Sequence, residues 1–553
     1  MIFDPFGIGG NFLKLQQAWA SHPREWQQEQ QRLMTDLWTL NLQGIASIVG
    51  GRPGLCAQVA EGDDRFADPA WKDDPFHCLL LQNYLTQTRW LERVIYDTPG
   101  LPRGERRRGA FWIRQWIDAL APANFPLINP AVIRKALQSN GASLLKGVRN
   151  LLEDVKAGDV QMVDRTAFAV GKNLATTSGT VVFRNDKLEL IQYHPLTEQV
   201  HAIPIVIVPP WINKFYILDL NEKKSMVRHL LAHGFSVFII SWKNPGPEMA
   251  DTGFENYVLG GMLAAIDAAR SICQVARVHA VGYCIGGTAL AALMAWLNRK
   301  YDEPDKVPVA HWTLLASLVD FSRPGEIETF LNEESIATID ALMARQGYLD
   351  KEQIGWSFRM LRPNSLLWHD VVHKYLYGEK PIPFDVLFWN SDGTRIPRAL
   401  HSFCLHQFYL ENKLAAKDGI VLAGHPLDIA RVRQPLYAVG AVDDHITPWL
   451  GTFNTTSLVR APVRYALSSS GHILGIVNPP GARSKRAHWV GYASGETDGK
   501  AWRAAHVKQA GSWWGDWVKW LGACCGPQQA PPPTGRGQYQ ALCAAPGTYV
   551  HER

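Results

Sequence analysis

No apolar run in this 553-residue chain approaches the length that spans a bilayer, so no transmembrane helix is expected. The first residues, MIFDPFGIGGNF, lack a basic stretch followed by a long apolar one, so no export signal is expected. Charge of one sign is also scarce. Fifty-six Lys and Arg against 51 Asp and Glu leave +5, too little over this length to argue for nucleic acid as the main partner. Eight cysteines are scattered without metal-type pairs, and the adjacent Cys524 and Cys525 are too close for a zinc site. The expectation is reduced thiols in a cytoplasmic protein with no resident metal. What is abundant is apolar side chains, at 46%, and tryptophan, at 21 residues. The first permits a large core; the second fits either core packing or an apolar contact surface.

Strand-like alternation is absent from residues 1–175, which carry helical stretches at 13–20, 23–42, 79–96, 109–120 and 131–155. The arginine run 106–108 reads as a solvated helix start, with an anion site as the alternative. Beyond 175 the pattern changes. Residues 180–183 and 188–193 flank a polar turn and read as a hairpin. Apolar runs at 203–208, 236–242, 278–281, 312–319, 436–439 and 463–467 alternate with helical stretches at 222–233 and 257–275. That alternation implies a mostly parallel sheet covered by helices on both faces. A long aromatic-rich insertion, about 322–433, interrupts it and reads as a lid. At 512–521 (SWWGDWVKWL), Trp513, Trp517 and Trp520 share a helical face, read as docking on the core, with an exposed contact surface as the alternative.

The most informative stretch is GYCIGGT, 282–288, between a buried-strand run and a helical run. Strand, glycine-flanked turn and helix make a nucleophile elbow, here centred on Cys284. A thiolate exchanges readily with thioesters, so the chemistry expected is acyl transfer through a cysteine-bound acyl group. A base and an orienting acid should follow in chain order. His472, in a Ser/Gly loop after the run 463–467, is the expected base. Asp443 and Asp444, just past 436–439, both fit the acid, and Asp320 competes; His445 reads as structural. The oxyanion donors expected are the backbone N–H of Ile285 and, by position after 203–208, that of Ile212.

At these residues the chain resembles the polyhydroxyalkanoate synthases, class I above the others. GYCIGGT matches the family's lipase-like box. VPPWINKFYILDL (208–220), LRPNSLLW (361–368), FDVLFWNSDGT (384–394), DDHITPW (443–449) and APGTYV (545–550) look like family blocks, as do NFPLINPAVIRKAL (124–137) and GASLLKGVRNLLEDV (141–155). The resemblance runs from about residue 100 onward. It implies Cys284 as nucleophile, Asp444 as acid and His472 as base. It also implies an α/β-hydrolase catalytic domain at 176–525 with the lid insertion, a helical domain at 1–175, and an extended tail at 526–553. The implied activity is polymerisation of 3-hydroxyacyl-CoA, short-chain such as 3-hydroxybutyryl-CoA, into polyester. CoA would be the leaving group and no other cofactor would be needed. The implied setting is a cytoplasmic homodimer associating with polymer granules and granule-associated proteins. The rival readings are a thioesterase or polyester hydrolase with a cysteine nucleophile, and a non-enzymatic granule coat, which would not need a full triad.

Overall fold

The computed structural model describes residues 7–50, 59–60, 63–158, 160–361, 363–481, 484–493 and 498–553. The chain divides into two units, Met1–Asp164 with Trp356–Pro383, and Arg165–Gly355 with Phe384–Arg553. The segment 322–433, read from sequence as one lid insertion, is therefore shared between them.

The first unit is helical: α1 (Ile8–Ala20), α2 (Pro23–Gly50), α3 (Pro75–Tyr96), α4 (Arg103–Ala119), α5 (Pro130–Gln138) and α6 (Ala142–Ala157). Asp74 accepts from the Phe76 N–H at 2.8 Å and so starts α3, with Pro75 at its first position. The stretch 131–155 reads as one helix in sequence but is two. Asn140 and Gly141 take φ of 48° and 81°, left-handed values that stop α5 and restart the chain as α6. A core forms around Phe66, Trp71, Leu81 and Leu85. Residues 356–383 are tied in by a buried ion pair, Lys374 Nζ to Asp154 Oδ2 at 2.5 Å. Large side chains stay exposed on α2 (Met34, Trp38, Ile45, Val49) and α6 (Leu145, Val148, Leu152, Val155). The arginine run lies in the first turns of α4, where Arg106 donates to the Tyr96 carbonyl at 2.7 Å. Six described cysteines are free, but Cys78 is disulfide-bonded, contrary to the expectation of reduced thiols throughout.

The second unit is built on an eleven-stranded sheet. In chain order its strands are β1 (Gly179–Arg184), β2 (Leu188–Tyr193), β3 (Ile205–Val208), β4 (Val237–Trp242), β5 (Val278–Tyr283), β6 (Val309–Leu315), β7 (Leu436–Ala441), β8 (Val463–Ser468), β9 (Ala487–Ala493), β10 (Gln509–Ala510) and β11 (Cys543–Ala544). The order across the sheet is β10-β9-β8-β7-β6-β5-β3-β4-β2-β1-β11. The six strands from β8 to β4 run parallel; the outer ones are antiparallel. Alternate residues of each strand face opposite sides. Val206, Val208, Phe238, Ile240 and Ala280 meet the helices α8 (Ala264–Cys273) and α9 (Ile285–Lys300). Ile205, Ile207, Val237, Ile239 and Val281 meet α7 (Met226–Ala232) and α10 (Trp514–Cys524). This is an α/β-hydrolase architecture, with both faces of a parallel sheet covered.

Two local features differ from the sequence reading, the start of the stretch 257–275 and the strand β9. The helical stretch 257–275 opens as a π-helix, Asn256–Leu263, before α8. β9 was not foreseen, so β8 is the last parallel strand but not the last strand. Trp513, Trp514 and Trp517 are fully buried against the sheet, so the tryptophan face of α10 is core and not a contact surface. Residues 526–553, expected to be extended, supply β11, which pairs with β1. They also carry Thr548, whose N–H and hydroxyl donate to the buried Glu189 at 2.8 and 2.7 Å. Among the described residues no helix is long and apolar enough to cross a membrane.

Candidate active site

β5 ends at Tyr283 and α9 begins at Ile285, so Cys284 alone makes the turn. Its φ of 54° and ψ of −129° are values an L-residue adopts only under constraint, at a cost of about 1–3 kcal/mol. The constraint is visible. The Cys284 N–H donates to the Leu315 carbonyl at the end of β6 at 2.9 Å, and its own carbonyl accepts from the Gly287 N–H at 2.9 Å. The turn closes only because side chains are missing. A Cβ on Gly282 would strike the Gly287 Cα; one on Gly286 would lie 2.6 and 2.7 Å from the Pro209 and Val208 carbonyl oxygens.

The acid and base arrive on the loops after β7 and β8. These loops are joined by N–H donations from Val442 to the Ser468 carbonyl, 2.9 Å, and from Asp443 to the Ser470 carbonyl, 3.0 Å. Ser470 adopts φ 85°, a strained conformation two residues before His472. His472 Nδ1 donates to Asp444 Oδ2 at 2.7 Å, which leaves Nε2 as the nitrogen able to take a proton. The two side chains are 9% and 0% exposed. Behind His472 the Tyr283 ring stacks at 5.6 Å between centroids, and the Tyr283 hydroxyl donates to the His472 carbonyl at 3.3 Å.

Burial opposes the charge of both groups, and their mutual attraction outweighs it. Burial works against protonated His472, yet the charges of Asp444 and Cys284, and the hydrogen bond to Asp444, raise its pKa well above the ordinary value. Cys284 is thus near enough for its charge to act on the imidazole. Burial likewise works against ionised Asp444, but His472 and Thr447 hold its carboxyl below the usual range.

Of the three candidate acids, the structure brings only Asp444 to His472. Asp443 is its neighbour on the loop but is exposed. Asp320 is engaged elsewhere, accepting from Ser322 N–H (2.8 Å), Asn412 Nδ2 (2.8 Å) and Asn454 Nδ2 (2.8 Å). These bonds tie loops together and, against burial, hold its carboxyl low. Ile285 stands at the first position of α9, directly after Cys284. Ile212 lies in the loop after β3, and its carbonyl accepts from the Thr394 N–H at 3.1 Å. Sequence reasoning missed Thr447. Its N–H and hydroxyl both donate to Asp444, each at 2.8 Å. The signal was a threonine three residues after an aspartate at a strand end, the spacing at which such a carboxylate caps the next turn.

Residues 62–230 match the model of a family described as poly-beta-hydroxybutyrate polymerase (PhaC) N-terminus. Over 530 residues the chain is 38% identical to the poly(3-hydroxyalkanoate) polymerase subunit PhaC of Cupriavidus necator, covering 94% of this chain and 87% of that protein. It is 38% identical over 548 residues to the poly(3-hydroxyalkanoate) polymerase of Methylorubrum extorquens, covering 97% and 88%. It is 39% identical over 498 residues to poly(3-hydroxyalkanoate) polymerase 2 of Ectopseudomonas oleovorans, covering 89% and 87%. Solved structures similar to it include an esterase from Exiguobacterium antarcticum, with 10% identity, a TM-score of 0.30, and coverage of 54% of this chain and 92% of that one. At that level the likeness carries no argument. The similarity to the polymerases extends past the region from residue 100 where motifs are visible by eye, and with 38% identity across nearly its whole length the chain belongs to the poly(3-hydroxyalkanoate) polymerase family.

Proposed function

We propose that this enzyme polymerises 3-hydroxyacyl-CoA, with short-chain substrates such as 3-hydroxybutyryl-CoA, into polyester, in the manner of a class I synthase. The observation that carries the reading is the Cys284–His472–Asp444 arrangement at the carboxyl ends of β5, β8 and β7. His472 Nε2 takes the Cys284 proton, and Asp444 holds the imidazole and stabilises its charge. The thiolate attacks the thioester carbonyl; the C–S bond to CoA breaks, and CoA leaves with a proton from His472. The acyl group is then a Cys284 thioester. A 3-hydroxyl group, deprotonated by His472, attacks an acyl thioester, forms the ester bond and releases the thiol. The Ile285 N–H, and an N–H from the loop holding Ile212, would stabilise the tetrahedral oxyanion. This chemistry uses only side chains and backbone, with CoA as a leaving group.

The same triad would serve a thioesterase with water as acceptor, so the acceptor decides between the two. The test is incubation with 3-hydroxybutyryl-CoA, following CoA, polymer and free acid together. Polymer with CoA supports the proposal; stoichiometric 3-hydroxybutyrate with CoA supports hydrolysis. CoA-independent behaviour would leave only a coat protein.

A further inference from the structure

Three of the sequence blocks, 208–220, 384–394 and the stretch from 545 onward, contribute nothing to the triad. They meet at one side chain. Lys214, only 6% exposed, pairs through Nζ with Asp392 Oδ1 at 2.9 Å and donates to the Glu552 carbonyl at 3.1 Å. The Tyr216 hydroxyl donates to the other Asp392 oxygen at 2.9 Å. Trp389 Nε1 donates to the Lys214 carbonyl at 2.7 Å, and Thr394 Oγ1 to the Trp211 carbonyl at 2.5 Å. Asn213 pairs antiparallel with Gly393. On the far side Glu552 Oε2 accepts from the Asn244 N–H at 3.1 Å.

A buried ammonium is costly, and burial does lower the Lys214 pKa against the pull of Asp392. An apolar side chain would fill the space without that cost. What it could not do is reach two separate segments with directed donors, as an ammonium does. The loop being held, 209–214, starts at Pro209. Its carbonyl is so close to Gly286 that no Cβ fits between them. It therefore lies against the first turn of α9 at Gly286, the residue after Ile285.

We infer that Lys214, Asp392 and the main chain at Glu552 form a latch that sets the 209–214 loop against the turn bearing Cys284, making Lys214 a positioning residue for acyl transfer. The inference rests on the acyl-transfer reading above. The latch acts on where the oxyanion forms and not on the thiol itself. It should therefore matter to thioester attack and not to alkylation of Cys284, a displacement of iodide that forms no oxyanion.

The test compares wild type with Lys214→Met in two assays: CoA release from 3-hydroxybutyryl-CoA, and the rate at which iodoacetamide modifies Cys284 across pH. Expected are a ~10–100-fold loss of CoA release, a share of what one oxyanion donor is worth, and an unchanged alkylation rate and pH profile. Wild-type CoA release in folded Lys214→Met would overturn the latch. So would equal losses in both assays, which would make the loop a support of the elbow fold. If wild type itself releases no CoA, the acyl-transfer reading fails first. Should Lys214→Met not fold, truncation after Val550 removes the Glu552 acceptor from the surface. It must then lower CoA release in the same direction, with alkylation again unchanged, or the latch is wrong.

Discussion

Asp443 and Asp444 are adjacent, identical in type and opposite in circumstance. Asp444 is buried with four donors, namely His472 Nδ1, Thr447 Oγ1 and the N–H groups of Ile446 and Thr447; Asp443 is exposed. Asp444→Asn should lower CoA release by on the order of 10⁴-fold, the scale of losing a triad's orienting acid, and Asp443→Asn should do far less. The reverse ranking in steady-state assays would contradict the assignment. The pair also predicts a pH signature in stability. The His472 pKa is raised, so its contribution is fully present below the unfolded value of about 6.5 and fades as pH rises through the folded value. The Asp444 pKa is lowered, so its contribution is present above about 3.9 and fades as pH falls through the folded value. The Tm difference between wild type and Asp444→Asn should be largest between about pH 4 and 6.5 and shrink on either side. A pH-independent difference would mean the two charges are not coupled.

At the scale of elements, legibility followed locality. The elbow could be read because strand, turn and helix are contiguous, and Gly282 and Gly286 mark the turn. The parallel strands could be read because burial on both faces leaves continuous apolar runs. The acid was ambiguous in the residues alone because exposure of Asp443 and burial of Asp444 depend on a loop closed by Ser468 and Ser470, distant in pattern. The break at Asn140–Gly141 was hidden because apolar periodicity continues through it, and β9 because AHWVGYA mixes buried and half-buried positions. Composition alone could not decide the tryptophans of α10. Burial decides it: Trp517 packs in the core with Nε1 donating to Thr313 Oγ1 at 3.0 Å. Trp517→Ala should cost roughly 3–5 kcal/mol, measured by denaturant unfolding. A change near zero would return this face to the surface.

For the whole molecule, the question is how a chain with no membrane-crossing helix among its described residues meets an insoluble product. A growing polyester held on Cys284 would carry the enzyme to the polymer–water boundary. With the α10 face buried, the exposed apolar side chains of α2 and α6 offer surfaces for such contact. Fractionation of cells expressing wild type or Cys284→Ala, with and without substrate supply, should show wild type moving to granules only when polymer forms. Equal pelleting in every condition would contradict this.

The central claim is that Cys284 carries the acyl chain. The most direct measurement is mass spectrometry of the Cys284 peptide after acid quenching of the enzyme with 3-hydroxybutyryl-CoA, alongside CoA release. The account predicts a hydroxylamine-labile 3-hydroxybutyryl mass on Cys284 that precedes polymer. It also predicts loss of both adduct and CoA release in folded Cys284→Ala, and much slower release in Cys284→Ser, whose alkoxide is harder to form beside the same base. Sustained CoA release from folded Cys284→Ala would contradict it.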